Sequence, residues 1–278
     1  MPKHAPKPLT SPFRWHKRVL RPDEAVRYID AAGFCMLFPV KNVPLPSLYY
    51  GITRRDPKLD FKWDRYAEML WKWKGSLPKR KRVFYAKYFR GRGTFISLKQ
   101  LPHFLAMREA AADPGDHEKF YAAGRITDDA RSIWEALATH GPLATLELRN
   151  ASKMGSKAGN VRFKRAMTEL QCLLVVVHFG TEQETAAWAS GKFELTCRAF
   201  PKATAAARDI APEAARRILA AKFVELCPGS APEHAARLFG WTKADAIAAL
   251  AAEEAPALAK GADESPALAK VAAKGLSS

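Results

Sequence analysis

Between Arg125 and Pro201 the chain offers three helix-length stretches followed by two short strands, and few folds accept that order in so short a span. Thr127 can cap a helix whose first turn holds Asp128 and Asp129, carboxylates set against its positive end. Ile126, Ala130, Ile133, Trp134 and Leu137 recur on one face of it. Gly141-Pro142 turns the chain, and Ala144 to Ala151 read as a second helix. Asn160 can cap a third, through about Gln171, with Phe163, Met167, Leu170 and Leu174 inward and Arg162, Arg165 and Thr168 outward. Leu173 to Phe179 is a strand-type run, Gly180 to Gly191 a polar loop, and Lys192 to Phe200 a partner strand. Three helices and then a hairpin is the order of a winged helix, whose third helix enters the major groove.

The remaining chain organises around this unit. Residues 1–20 form a flexible basic arm, either a solvated tail or a DNA contact. Residues 21–124 read as a first winged-helix-like unit. Asp23-Glu24 start a helix through about Ala32, Gly33 ends it, and Phe34 to Phe38 are an apolar run. Pro39, Pro44 and Pro46 then hold an extended loop with little room for helix. A helix from Trp63 to about Trp73 breaks at Gly75 and Pro78. Val83 to Phe89 and Thr94 to Leu98 are strands joined by Arg90-Gly91-Arg92-Gly93, a basic wing, and a helix follows from Lys99 to Arg108. Residues 202–252 suggest a third, partial helix-turn-helix unit, with helices from Pro212 and over Pro232 to Phe239, and Thr242 capping another. Residues 253–278 are a low-complexity tail. The expected fold class is mainly α with small β-hairpins, in tandem winged-helix units.

Charge is unevenly spread. Residues 1–100 carry 23 Lys+Arg against 7 Asp+Glu, whereas the rest of the chain is nearly balanced although the net charge is +17. Between Glu68 and Glu109 there is no acidic residue and there are 11 basic ones. A solvated surface usually mixes signs, so this segment points to a polyanion, with duplex DNA the expected partner. The candidate DNA contacts are Lys72, Lys74, Lys79, Arg80, Lys81, Arg82, Arg90 and Arg92, joined by Arg162, Lys164 and Arg165 on the third helix of the second unit. The alternation Trp71-Lys72-Trp73-Lys74 has two readings: a half-buried segment with indoles inside, or a stacking wedge at an opened base step.

Other chemistries find little footing. No apolar run approaches a membrane span, and the basic, Pro-rich start has no signal-peptide core. Cys35, Cys172, Cys197 and Cys227 are widely separated and read as reduced, buried thiols. These features suit a cytoplasmic, nucleoid-associated protein. The seven histidines are scattered, with no metal-ligand spacing, and no phosphate loop or nucleophile elbow occurs, so neither a metal nor a small-molecule cofactor is expected. A monomer is compatible with the sequence, which does not fix the oligomeric state.

Four segments together resemble the AlkZ family of tandem winged-helix DNA glycosylases. They are Arg92-Gly93-Thr94 with Leu98 and Leu101-Pro102; Ser132-Ile133-Trp134 through Gly141-Pro142-Leu143; Phe163-Lys164-Arg165-Ala166-Met167-Thr168-Glu169-Leu170; and Phe193-Glu194-Leu195 through Phe200-Pro201. The resemblance implies hydrolysis of an N-glycosidic bond in alkylated DNA, through an oxocarbenium-like sugar, with Gln, Asp or Glu positioning water. The chain departs from the pattern in three places. Phe38-Pro39-Val40 stands where the family carries Gln-x-Gln or Gln-x-Asp, Ile96 stands where some members have His, and an Ala-Lys tail replaces the C-terminal β-barrel.

The carboxylates near the basic half are Asp23, Asp30, Asp56, Asp60, Asp64 and Glu68. Of these, Asp23 reads as a helix-start residue, and Asp60 and Asp64 as solvated charges beside Lys58 and Lys62. The catalytic residue is therefore left unassigned. A candidate lesion pocket comprises Phe38, Pro39, Lys41, Trp71 and Trp73. Gln171 either reaches DNA or packs at its helix end. Three functions stay open: a glycosylase-related repair protein, a non-enzymatic regulator or architectural binder, and an RNA-binding accessory factor.

Overall fold

The computed structural model describes residues 13, 15–54, 63–183 and 189–251. Most of the expected arm, the tip of the second hairpin loop, the tail, and Asp56, Lys58, Asp60 and Lys62 lie outside the described residues. Among the described residues the chain is mainly α, with two small three-stranded antiparallel sheets in the orders β1-β3-β2 and β4-β6-β5.

The first sheet is built from β1 (Phe34–Met36), β2 (Phe84–Lys87) and β3 (Gly93–Ile96). The central β3 pairs Ile96 with both Phe34 and Phe84. The apolar run after Gly33 thus becomes a third strand, because β3 offers it a free edge. Helix α1 (Pro22–Ala32) precedes it. The proline-rich loop does contain a helix, contrary to expectation: α2 (Leu48–Thr53) starts where the Ser47 side chain accepts the Tyr50 N–H.

Helix α3 (Arg65–Lys79) starts where Asp64 accepts the N–H groups of Tyr66 and Ala67, so Asp64 is a cap and not merely a solvated charge. It runs on past Trp73, through Gly75 and Pro78. Gly75 is a contact here, not a breaker: a Cβ there would come within 3.0 Å of Thr181 Cγ2, so the absent side chain lets α3 lie close on the second sheet. Burial of Leu77 and Pro78 supports the last turn. A turn of 3₁₀ helix over Phe89–Gly91 then links β2 to β3, and α4 (Leu101–Met107) follows.

There follow α5 (His117–Ala122), which sequence reading missed, α6 (Asp128–His140), β4 (Leu143–Ala144), α7 (Thr145–Ala151) and α8 (Gly159–Cys172). Thr127 caps α6 as expected. Asn160 does not cap α8; Ser156 Oγ accepts the Gly159 N–H one residue before it. Strand β5 (Val176–Glu182) pairs with β6 (Ser190–Leu195). The expected strand to Phe200 ends at Leu195, where the Thr196 N–H and hydroxyl bond to the carbonyls of Val175 and Leu174. Helices α9 (Thr196–Ala199) and α10 (Pro201–Arg208) take its place.

Helices α11 (Pro212–Leu226), α12 (Pro232–Phe239) and a last helix over 243–251 return to the first sheet. Phe239 joins Phe34, Phe89 and Phe223 at ring separations of 5.7–6.0 Å, and Trp241 stacks on it at 4.4 Å. Arg108 ties the same place together, donating to the Phe239 carbonyl and to Tyr88 Oη.

The outer edge of β2 is closed by α8 rather than by a strand. The buried Gln171 amide accepts the Lys87 N–H and donates to the Met167 carbonyl, and Cys172 Sγ lies 3.1 Å from the Lys87 carbonyl. Gln171 is thus a structural bridge. Gln171→Ala removes the partner of the part-buried Lys87 N–H, and is expected to cost about 0.5–1.5 kcal/mol, read as a lower urea midpoint. An unchanged midpoint would mean that water replaces the amide at no cost.

Candidate nucleic-acid interface

The basic segment occupies two turns. At the end of α3, Lys79, Arg80 and Lys81 are exposed, with Lys81 in the left-handed region at φ 52. The aliphatic stem of Lys79 lies against Gly180 on β5. At the β2–β3 turn, Arg90 and Arg92 are exposed, and Arg90 also has φ 52. Gly91 between them approaches α8, where a Cβ would meet Thr168 Cγ2 at 3.2 Å. This contact brings the basic turn beside the helix that carries Arg162, Lys164 and Arg165, all exposed. Thr168, expected to face outward, is half-buried against that turn.

Not every candidate cation is free. Lys72 pairs with Glu68 at 3.2 Å, Arg82 with Asp23 at 3.2 Å, and Arg162 with Asp129 on α6. The Arg162 guanidinium holds the Asp129 carboxyl below its usual range. Lys79, Arg80, Lys81, Arg90, Arg92, Lys164 and Arg165 form no ion pair among the described residues. An additional basic surface escaped the sequence reading: Arg21, Asp23, Arg27 and Arg82 line an open groove of about 370 Å³. Its signal in the sequence was only two arginines six residues apart around a helix start.

The candidate lesion pocket is dispersed. Positions two apart on a helix point to opposite sides, so Trp73 turns into the core while Trp71 stays 43% exposed. Trp71 contacts Trp63 and, through its ring face, Lys74. Phe38 and Pro39 are half-buried, Lys41 is exposed, and Phe38 packs on Tyr49. The two parts have different neighbours, Tyr49 of α2 for Phe38, and Trp63 and Lys74 for Trp71.

The titratable cluster that sequence reading missed lies between α3, β2 and β5. His178 on β5 is buried between the rings of Tyr85 and Phe193, and neither ring nitrogen has a hydrogen-bond partner among the described residues. Burial, and then the charge of Lys74, pushes it down to about 3. Burial and the neighbouring Lys87 push Lys74 down to about 8. Burial raises the Tyr85 hydroxyl above its usual range. Such a cluster is visible only once β5 is laid on α3. Among the described residues no three His, Cys, Asp or Glu gather as a metal site, and no helix is long and apolar enough to cross a membrane.

A family model described as AlkZ related matches residues 19–240. Neither a curated protein nor a solved structure gives a significant match.

His178 sets an acid limb on stability. The unfolded imidazole binds a proton near pH 6.5, whereas the folded one resists it down to about 3. The native state is therefore fully favoured above about pH 6.5 and loses ground as pH falls through that window, by at most about 1.4 kcal/mol per pH unit. His178→Phe, which suits the ring-lined site, is expected to flatten this limb in urea midpoints taken between about pH 7 and about pH 5. An unchanged slope would contradict the assignment.

Proposed function

Because the chain belongs to the AlkZ-related family, and so has a fold related to that of DNA glycosylases, we propose that it is a duplex-DNA-binding protein that recognises or repairs alkylated DNA. The observation that carries this reading is the unpaired cationic set on the two turns and α8. Cations without carboxylate partners repel one another, and phosphates relieve that repulsion while releasing counterions. Two of the seven, Lys81 and Arg90, occupy left-handed backbone positions that Gly or Asn would fill with less strain.

In this reading residues 21–124 and 125–201 are tandem winged-helix units, and 202–252 is a partial third. The Arg90–Gly93 turn is a wing, α8 is the recognition helix, and the duplex lies against both. Arg80, Arg90, Arg92, Lys164 and Arg165 contact phosphates directly. Arg162 and Arg82 do so after exchanging Asp129 and Asp23 for the backbone anion. Trp71 is the exposed ring available to stack against an opened base. Residues 1–20, where they are basic, extend the footprint.

One observation favours a second reading, a non-enzymatic regulator or architectural binder. The loop that carries amides or carboxylates in the family has Phe38-Pro39-Val40 here, and it is tied at both ends: Leu37 bonds to Gly93 and Tyr49, and the Val40 carbonyl accepts the Val43 N–H. Water activation then needs another group. Incubation with duplexes containing alkylpurines, followed by alkaline cleavage at abasic sites, separates the two. Base release is expected for the repair enzyme, and binding or footprint protection without release for the regulator.

Arg80→Glu combined with Arg92→Glu is expected to weaken duplex binding at least tenfold, equally across sequences. The double change should also make the log–log salt dependence shallower by about 2. Fluorescence anisotropy over a salt series measures both. An unchanged slope would remove the basic turns from the interface.

A further inference from the structure

Most lysines of the basic segment are suited to phosphate contact because they are exposed and charged; Lys74 is not. It sits half-buried on α3, and its Nζ lies 3.4 Å from the centroid of the exposed Trp71 ring. It has no carboxylate partner among the described residues, whereas Lys72 two positions earlier is paired with Glu68. Lys87 of β2 and His178 of β5 lie within electrostatic reach. His178 is the buried group of β5 whose hydrogen-bonding capacity is unfilled. Low solvation, a cationic neighbour and no counterion are the conditions that turn a lysine from a point charge into a nucleophilic amine.

We propose that Lys74 is an imine-forming amine that captures the ring-opened aldehyde of an abasic site in duplex DNA. The inference rests on the duplex-DNA reading above. Nζ adds to the C1′ carbonyl carbon, and one amine proton passes to the oxygen, giving a carbinolamine. That oxygen then leaves as water with the second amine proton, and a C=N bond remains. No oxidant or cofactor is required. The push on Lys74 to about 8 leaves a substantial share of free amine at mildly alkaline pH, and the Trp71 face beneath Nζ offsets part of that push. Trp71 also provides a flat apolar surface at the amine, where an extrahelical sugar or neighbouring base can rest. An exposed surface lysine, mostly protonated and mobile, has neither advantage.

The test is reductive trapping. The full chain is incubated with an abasic-site duplex and borohydride, which delivers hydride to the imine carbon and fixes a secondary amine. A duplex with a tetrahydrofuran abasic analogue, which has no aldehyde, reports binding alone. The expected result is a covalent complex with the abasic duplex, a cross-linked peptide mapping to Lys74, and at least a tenfold loss of trapping in Lys74→Arg and Lys74→Met, with analogue binding kept. If either variant fails to fold, the peptide map of the unaltered chain decides. Binding to the analogue without trapping, or an adduct mapping to another lysine, overturns the assignment of Lys74 and leaves the DNA reading standing. Absence of both binding and trapping removes both.

Discussion

The closure of β2 by the Gln171 amide is the constraint from which the arrangement of the two sheets follows. An edge strand presents backbone donors and acceptors that must be paired, covered or hydrated. Here the Lys87 N–H finds Gln171, and Cys172 Sγ meets the Lys87 carbonyl, so the C-terminal turn of α8 takes the place of a fourth strand. That docking fixes the helix axis against the first sheet and leaves only its N-terminal half, with Val161, Arg162, Lys164 and Arg165, facing outward. It also forces the Arg90–Gly93 turn against Thr168, a contact so close that Gly91 has no room for a Cβ without Thr168 yielding. Backbone satisfaction at one strand edge thus sets the spacing between the basic turn and the basic helix.

Electrostatics adds a second layer on that frame. The acids of the second unit are placed to restrain some cations and not others: Asp129 holds Arg162, while Lys164 and Arg165 on the same helix have no ion pair among the described residues. Exposed pairs of this kind contribute about 0–1 kcal/mol, so exchanging Asp129 for a phosphate costs little. The concentrated positive field opposes folding slightly and attracts polyanions, as the proposed DNA contact requires.

What was legible in the sequence was local. Thr127, the apolar face from Ile126 to Leu137, and the inward set Phe163, Met167 and Leu170 give α6 and α8 because capping and periodicity act within a few residues. Helices α2 and α5, each of six residues, are too short to show a period. The passage of α3 through Gly75 depends on Thr181, a hundred residues away, and β1 exists because β3 has an edge to offer. The candidate interface followed the same rule. Its charge was visible as an acid-free run, but the pairing of Lys72, Arg82 and Arg162 was not, and neither was the opposite fate of Trp71 and Trp73. The His178–Lys74 cluster had no sequence signature, since its members are joined only by the packing of β5 on α3.

The departure at Phe38-Pro39-Val40 bears on how such a fold can keep its ligand while its chemistry changes. The segment is not a vacant site: Leu37 is buried, Phe38 packs on Tyr49, and backbone hydrogen bonds tie the loop to β3 and α2. Apolar side chains there offer no group to position water, and the Phe38 ring instead packs on Tyr49 of α2. The cationic turns and α8 are also held by Gln171, Gly91 and the Phe239 ring cluster, while the Leu37 N–H bonds to Gly93 at the end of the β2–β3 turn. In the proposed reading, DNA contact and water activation fall to different residues, the first to the cationic turns and α8 and the second to none of Phe38, Pro39 and Val40. A chain can retain the first while the second is lost, or while reactive groups gather elsewhere at the same surface, as at the seam between α3 and β5.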